Sequence, residues 1–94
     1  MALSEAQRQL LILAREYLIE HPNNTYLDNG ICNALEAVDD TVQDGYQAGY
    51  QLRVYLQNAL RPWILLENWQ KHNNCYVSQA QTCLDRLAWI DWML

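Results

Sequence analysis

Apolar residues recur along this chain at helical spacing, and polar or helix-breaking residues divide them into about five segments. Ser4 and Gln7 stand at the spacing of a capping box, and His21-Pro22 is a typical helix end. Between them, five apolar residues follow the i, i+3, i+4, i+7 pattern of an amphipathic helix: Leu10, Leu13, Ala14, Tyr17 and Leu18. This pattern predicts a first helix.

Four further segments complete the prediction. A short second helix is expected from about Ile31 to Val38, and a third begins near Thr41 and stops at Arg61-Pro62. A fourth runs from Trp63 to about Lys71, because proline suits the start of a helix, and a fifth begins at Ser78. No segment reads as a strand. We therefore expect an all-α fold, one small domain of about five helices over residues 1–94. The first, third and fifth helices are predicted to form the core, and the second and fourth to cover it.

The third helix contains a short tandem in which Gly-Tyr-Gln occurs twice, at Gly45 and at Gly49. Because glycine weakens a helix interior, either a neighbour approaches closely there or the helix begins after Gly49. The two tyrosines of the tandem share one side of the helix. This side either packs in the core or is exposed as a ridge that contacts a partner. The predicted apolar row on this side is Tyr46, Tyr50, Val54 and Leu60, with Leu52, Leu56 and Ala59 nearby.

The chain ends on an unusually apolar stretch, Arg86–Leu94, which contains two tryptophans. A chain end of this kind is expected to dock, either in the core or against a partner. The buried stripe predicted for the fifth helix is Ala80, Cys83, Leu84, Leu87, Ile90 and Leu94. Either every tryptophan serves the core, or some of the large side chains line a groove or an oligomer seam: Trp69, Trp89, Trp92 and Met93.

The charge of the chain is unevenly distributed. The formal net charge is −5, and the stretch from Glu16 to Leu52 contains seven acids and no Lys or Arg. Such a block disfavours direct binding to nucleic acid, which depends on Lys and Arg, and favours a basic protein partner. Four basic residues could still share a face with Trp63 and Trp69, but they are few, and pairing with nearby acids is the simpler interpretation: Arg53, Arg61, Lys71 and Arg86.

The residues that could hold a metal or perform catalysis form no convincing site. Cys75 and His72 are the right chemical pair for a nucleophile and its base, but the sequence offers no group to orient them. His21, Cys32 and Cys83 add no second ligand pair at zinc-site spacing. The acids Asp39, Asp40 and Asp44 lack the spacing of a calcium loop. We therefore expect no metal, no cofactor and no enzymatic activity.

The cysteines and the hydropathy also bear on location. Three cysteines without a C-x-x-C motif indicate reduced thiols in an intracellular protein. The apolar run from Leu10 to Ala14 is too short to span a membrane. The expected location is the cytoplasm, with no membrane partner.

Three motifs resemble a pattern in small phage and prophage helical proteins that have no assigned activity. The motifs are Gly30-Ile31-Cys32-x-Ala34-Leu35, then Trp69 after Leu65-Leu66-Glu67-Asn68, then Arg86-Leu87-Ala88-Trp89-Ile90-Asp91. The resemblance covers most of residues 30 to 94, rests on packing residues and transfers no functional residue. It implies a phage-borne accessory protein that acts inside a bacterial host cell.

These observations predict a non-enzymatic protein that binds a host or phage protein with a basic surface. In its sharpest form it inhibits a host nucleic-acid-handling or defence complex, as anti-CRISPR proteins do, because carboxylates can replace phosphates against Arg and Lys. The alternative is a structural homodimer or assembly protein joined through the tryptophan-rich last helix. The predicted contact residues are Glu36, Asp39, Asp40, Asp44, Tyr46, Tyr50, Trp69, Trp89 and Trp92.

Overall fold

Four α-helices and one 3-10 turn make up most of the fold in the part of the chain that the structure describes, and residues 61–62, 65–66 and 69 are helical as well. The computed structural model describes residues 2–21, 30–59, 61–62, 65–66, 69, 73 and 79–94. The helices are α1 (Glu5–Glu20), α2 (Gly30–Val38), α3 (Gly45–Ala59) and α4 (Gln79–Met93), and the 3-10 turn (Asp39–Thr41) joins α2 to α3. The all-α prediction is confirmed, and no strand occurs in these ranges.

The first helix begins and ends where the sequence predicts. The backbone N–H of Gln7 donates to the Ser4 hydroxyl at 3.1 Å, and the Ser4 N–H donates to Oε1 of Gln7 at 2.9 Å. This reciprocal pair satisfies two N–H groups that a helix start leaves without partners. At the other end the N–H of His21 donates to the carbonyl of Tyr17. The capping box predicted at Ser4 is thus confirmed.

Helix α1 is the centre of the packing and contacts each of the other three helices, α2 most extensively. Helix α4 runs antiparallel to it, since Arg8 near the start of α1 reaches Leu94 at the end of the chain and Leu18 near the end of α1 contacts Cys83 near the start of α4. Burial of large aliphatic side chains stabilises this arrangement by about 1.5–3 kcal/mol per residue. The core residues are Leu10, Leu11, Ala14, Leu18, Ile31, Ala34, Leu35, Ala48, Leu52, Leu56, Cys83 and Ile90.

Helix α2 corrects the prediction that the second helix only covers the core. Ile31, Ala34 and Leu35 are buried against α1 and belong to the core cluster. The predicted fourth helix, Trp63 to about Lys71, lies mostly outside the described residues, and so does Ser78, the predicted start of the fifth. Within α4 the predicted stripe is partly wrong: Cys83 and Ile90 are buried, whereas Leu84 is 59% exposed.

Helix α3 places the tyrosine row of the tandem on its exposed side, so that of the two alternatives the exposed ridge is found and the core seam is not. Tyr46 and Tyr50 are 74% and 59% exposed, and Val54 is also exposed, whereas the buried residues are Gly45, Ala48, Gly49, Leu52 and Leu56. The reason is that neighbouring segments of the chain approach the two glycines of the tandem closely. A Cβ on Gly45 would overlap the carbonyl oxygen of Asp39, and one on Gly49 would lie 3.7 Å from Cδ1 of Leu10. The glycines therefore face the neighbours, and the tyrosines face outwards.

Candidate protein-binding surfaces

The four acids predicted as contacts divide into two pairs. Glu36 and Asp39 both face Arg53, with Oε1 of Glu36 4.0 Å from Nε and Oδ2 of Asp39 3.6 Å from Nη1. Asp40 and Asp44 are exposed and have no ion pair among the described residues. The negative charge offered to a partner at this end of the molecule therefore comes chiefly from Asp40 and Asp44.

Asp44 precedes α3 in a left-handed backbone conformation, with φ of 58°. The N–H of Gly45 donates to the carbonyl of Val42 at 2.9 Å, and the N–H of Ala48 donates to the carbonyl of Asp44 at 3.0 Å. The chain thus makes a tight turn between the 3-10 turn and α3. Aspartate tolerates this conformation better than most residues, and the turn leaves the Asp44 side chain exposed at the start of α3.

The exposed side of α3 carries a tyrosine ridge, defined as Tyr46, Tyr50 and Val54. These residues stand four apart and so form one row along the helix. All three are more than 40% exposed. Exposed tyrosines in a row next to acidic residues are typical of protein contact surfaces, because tyrosine offers a large apolar area and a polar hydroxyl.

A polar groove of about 640 Å³ lies between the start of α1 and α3. We call it the glutamine groove. Four carboxamides and two carboxylates dominate its described lining: Glu5, Gln9, Gln43, Asp44, Gln47 and Gln51. No Lys or Arg is found among the described lining residues. The sequence holds a signal for this groove that was not used: Gln47 and Gln51 stand four residues apart and so share one side of α3, and Gln43 precedes them by the same interval in the turn before the helix.

A buried glutamine joins the two walls of the glutamine groove. Gln7 is only 6% exposed, and its Nε2 donates to Oε1 of Gln51 at 3.0 Å. Since Oε1 of the same Gln7 accepts from Ser4, one side chain closes the start of α1 and ties it to α3. The sequence predicted the capping contact but not the link to α3.

The tryptophans predicted as contacts differ in exposure. Trp92 is 67% and Trp69 57% exposed, whereas Trp89 is half-buried and packs on the core. Trp89 and Trp92 meet edge to face with ring centroids 5.7 Å apart. With Ala59 and Ala88 they line an apolar depression of about 440 Å³, which we call the tryptophan hollow. The chain end is therefore only partly absorbed into the core.

The residues considered for metal binding or catalysis are separated or structural where they are described. His21 stacks on Tyr17, with ring centroids 4.3 Å apart, and the buried Cys83 contacts the carbonyl of Leu18 through Sγ at 3.5 Å. His72 and Cys75 lie outside the described residues. Among the residues that the structure does describe, no group of three His, Cys, Asp or Glu could hold a metal ion.

The buried surroundings of Cys32 raise the pKa of its thiol above the ordinary value of 9.0. Desolvation is the main cause; the positive charge of Arg53 opposes it, Glu36 adds to it, and Arg86 opposes it more weakly. Arg86 is itself only 5% exposed. It therefore belongs to the packed interior and not to the basic surface patch that the sequence had suggested as an alternative.

None of the described helices combines the length and apolar character needed to cross a membrane. Comparisons of the chain with family models, with curated proteins and with solved structures found no match. The resemblance to phage proteins therefore stays a prediction.

Proposed function

We propose that this chain is a non-enzymatic protein-binding protein and that the tyrosine ridge on α3 is its main contact surface. The observation that carries the proposal is the exposure of Tyr46 and Tyr50, 74% and 59%, on a helix whose opposite side is fixed to the core by Gly45 and Gly49. A rigid helix that presents two tyrosines loses little conformational entropy on binding. This is an economical way to build a binding surface.

The partner that this surface fits is a protein with a basic patch. Asp40 and Asp44 are exposed immediately before the ridge, and the whole chain carries a net charge of −5. Opposite charge speeds the encounter of two proteins and disfavours wrong partners. In the phage setting suggested by the resemblance, the partner is a host protein whose basic surface normally meets nucleic acid, and binding inhibits it.

The proposal is tested with two double variants that remove equivalent exposed apolar residues. Tyr46→Ser with Tyr50→Ser removes the ridge, and Ile12→Ser with Ile19→Ser removes an exposed apolar pair from α1, 42% and 52% exposed. Tagged wild type and variants are used to capture proteins from a bacterial lysate at low and high salt. We expect one basic protein to be enriched by the wild type and the α1 variant, but not by the tyrosine variant.

The purified partner then gives the quantitative test. The double variant is expected to bind roughly thirtyfold more weakly for each tyrosine that is a hot spot, since one such residue contributes about 2 kcal/mol. Binding should also weaken with salt, because the acids contribute to it. Equal binding by the tyrosine variant and the α1 variant contradicts the proposed surface.

A second candidate function, self-association, is supported by the tryptophan hollow. Trp92 exposes 67% of its surface beside this apolar depression, and large exposed apolar areas favour association. If two copies join through this surface, sedimentation should show a concentration-dependent dimer that Trp92→Ser abolishes and Tyr46→Ser with Tyr50→Ser does not. A monomer at all concentrations rules this candidate out.

A further inference from the structure

We propose that the glutamine groove binds an extended, lysine- or arginine-containing segment of the partner protein. This inference rests on the proposed protein-binding function and identifies a second contact site for it, next to the tyrosine ridge. Gln47 and Gln51 of the groove each adjoin a tyrosine of the ridge in sequence. A partner seated on the ridge therefore meets the groove with the neighbouring part of its chain.

The chemistry of the lining suits a polypeptide backbone. A glutamine carboxamide offers a donor and an acceptor, which is the pair that an extended peptide group presents. Gln43 and Gln47 offer both, whereas Oε1 of Gln51 already accepts from Gln7 and Nε2 of Gln9 donates to Glu5 at 3.5 Å. Pockets for small organic ligands are mostly apolar with a few polar groups, whereas six of the nine described lining residues of this groove carry a carboxamide or a carboxylate. Its composition favours a peptide over a small cofactor.

The charge of the groove selects a basic segment. Glu5 stands on the α1 wall and Asp44 on the α3 wall, and neither carboxylate forms an ion pair with a described residue. The described arginines near α1 and α3 are directed elsewhere, Arg8 to the carbonyl of Leu94, Arg15 to Asp91 and Arg53 to Asp39. A lysine or arginine side chain supplied by the partner balances the two carboxylates.

The groove is also prepared for binding before the partner arrives. The hydrogen bond between Gln7 and Gln51 fixes the spacing of the walls, and the capping box fixes the start of α1. Oε1 of Gln51 accepts from Gln7, and its amide nitrogen makes no hydrogen bond with a described residue, so this nitrogen can donate to a ligand. A groove of fixed width lowers the entropy lost on binding.

The test uses a short unstructured peptide of alternating lysine and serine as the probe, added to ¹⁵N-labelled full-length chain. We expect saturable shifts of the side-chain amide signals of Gln43, Gln47 and Gln51. The variant Glu5→Gln with Asp44→Asn should weaken binding roughly tenfold, as expected for two partly exposed ion pairs. Asparagine is chosen at position 44 because it tolerates the left-handed backbone there.

The matched control is Glu16→Gln with Glu20→Gln, which removes the same charge from two exposed acids at the other end of α1. It should bind the peptide like the wild type. If both double variants bind the peptide equally weakly, the peptide binds by general charge attraction, and the proposed binding site in the groove is wrong. The proposed site is also wrong if the side-chain amide signals of the glutamines show no saturable shifts.

The same variants separate this inference from the proposed function. If the purified partner requires Tyr46 and Tyr50 but binds the Glu5→Gln, Asp44→Asn variant like the wild type, the groove is wrong and the protein-binding function stands. If both sets of variants bind the partner like the wild type, both fail. Weakening by the tyrosine variant and by Glu5→Gln alone, which leaves Asp44 beside the ridge intact, supports both.

Discussion

Gly45 lies directly against the carbonyl oxygen of Asp39, so that any Cβ at this position overlaps it. Gly49, one helical turn later, has looser surroundings, in which a Cβ would lie 3.4 Å from Nη1 of Arg53 and 3.5 Å from Cβ of Asp39. The first contact is with backbone and the second with side chains. The two glycines of one tandem therefore have different structural roles.

This difference predicts opposite effects of the same substitution. Gly45→Ala should lower the free energy of unfolding by about 1–3 kcal/mol, because the turn must shift to admit a methyl group. Gly49→Ala should leave it unchanged or raise it by up to about 1 kcal/mol, because alanine favours the helix. Urea unfolding of both variants measures the difference. A loss of similar size in both would contradict the packing described here.

The left-handed backbone conformation of Asp44, with φ of 58°, predicts an order of stability among variants at this position. A Cβ in this conformation costs about 1–2 kcal/mol, which glycine avoids and asparagine tolerates. We expect Asp44→Gly to raise the free energy of unfolding by roughly 0.5 kcal/mol, Asp44→Asn to leave it unchanged and Asp44→Ala to lower it by about 1 kcal/mol. Thermal unfolding provides the measurement, and a variant with alanine as stable as that with glycine would disprove the ordering.

The hydrogen bond from Gln7 to Gln51 is open to a double-mutant cycle. Gln7→Ala alone should cost about 1–2 kcal/mol, because it removes both this bond and the capping contact with Ser4. Combined with Gln51→Ala, the coupling energy should be about 0.5–1.5 kcal/mol. Gln47 lies on the same side of α3, and Gln7→Ala with Gln47→Ala should show no coupling. Equal coupling in the two cycles would mean that no specific bond links Gln7 and Gln51.

The sequence predicts those features that depend on near neighbours in the chain. The capping box of Ser4 and Gln7 is fixed by a spacing of three residues, and the burial of Leu10, Ala14 and Leu18 follows from helical periodicity. Whether Tyr46 faces the core could not be predicted in this way, because the row of residues through Tyr46 and the row through Leu52 fit helical periodicity equally well. The contact between Gly45 and Asp39 decides it.

The candidate sites depend still more on distant contacts. The glutamine groove lies between α1 and α3, which are linked by the hydrogen bond of Gln7 with Gln51, 44 residues apart. The pairing of Arg53 with Glu36 and Asp39 likewise joins α3 to the end of α2 and to the 3-10 turn. No spacing rule for a single helix contains this information.

The two acids that face Arg53 should contribute unequally to stability. The side chain of Asp39 is 16% exposed and that of Glu36 62%. Nη1 of Arg53 is buried and has no hydrogen-bond partner among the described residues, so the charge of Asp39 is what compensates it. Asp39→Asn should therefore cost about 1–2 kcal/mol and Glu36→Gln less than about 0.5 kcal/mol. Urea unfolding at two salt concentrations tests this, and equal losses would refute it.

Cys32 gives the chain a pH dependence whose direction follows from burial. Its pKa is raised above 9.0 in the fold, so the unfolded chain releases this proton at lower pH than the folded one. The resulting stabilisation is fully present below pH 9.0 and is lost as the pH rises through the folded pKa. In the folded protein, alkylation of Cys32 by iodoacetamide should be slow, and its rate should still be rising with pH above 9.0, where the rate for the unfolded chain levels off, because the thiolate is the reactive form. Peptide-resolved mass spectrometry compares this rate with that in urea, where the ordinary pKa returns, and identical pH profiles would contradict the burial of the thiol.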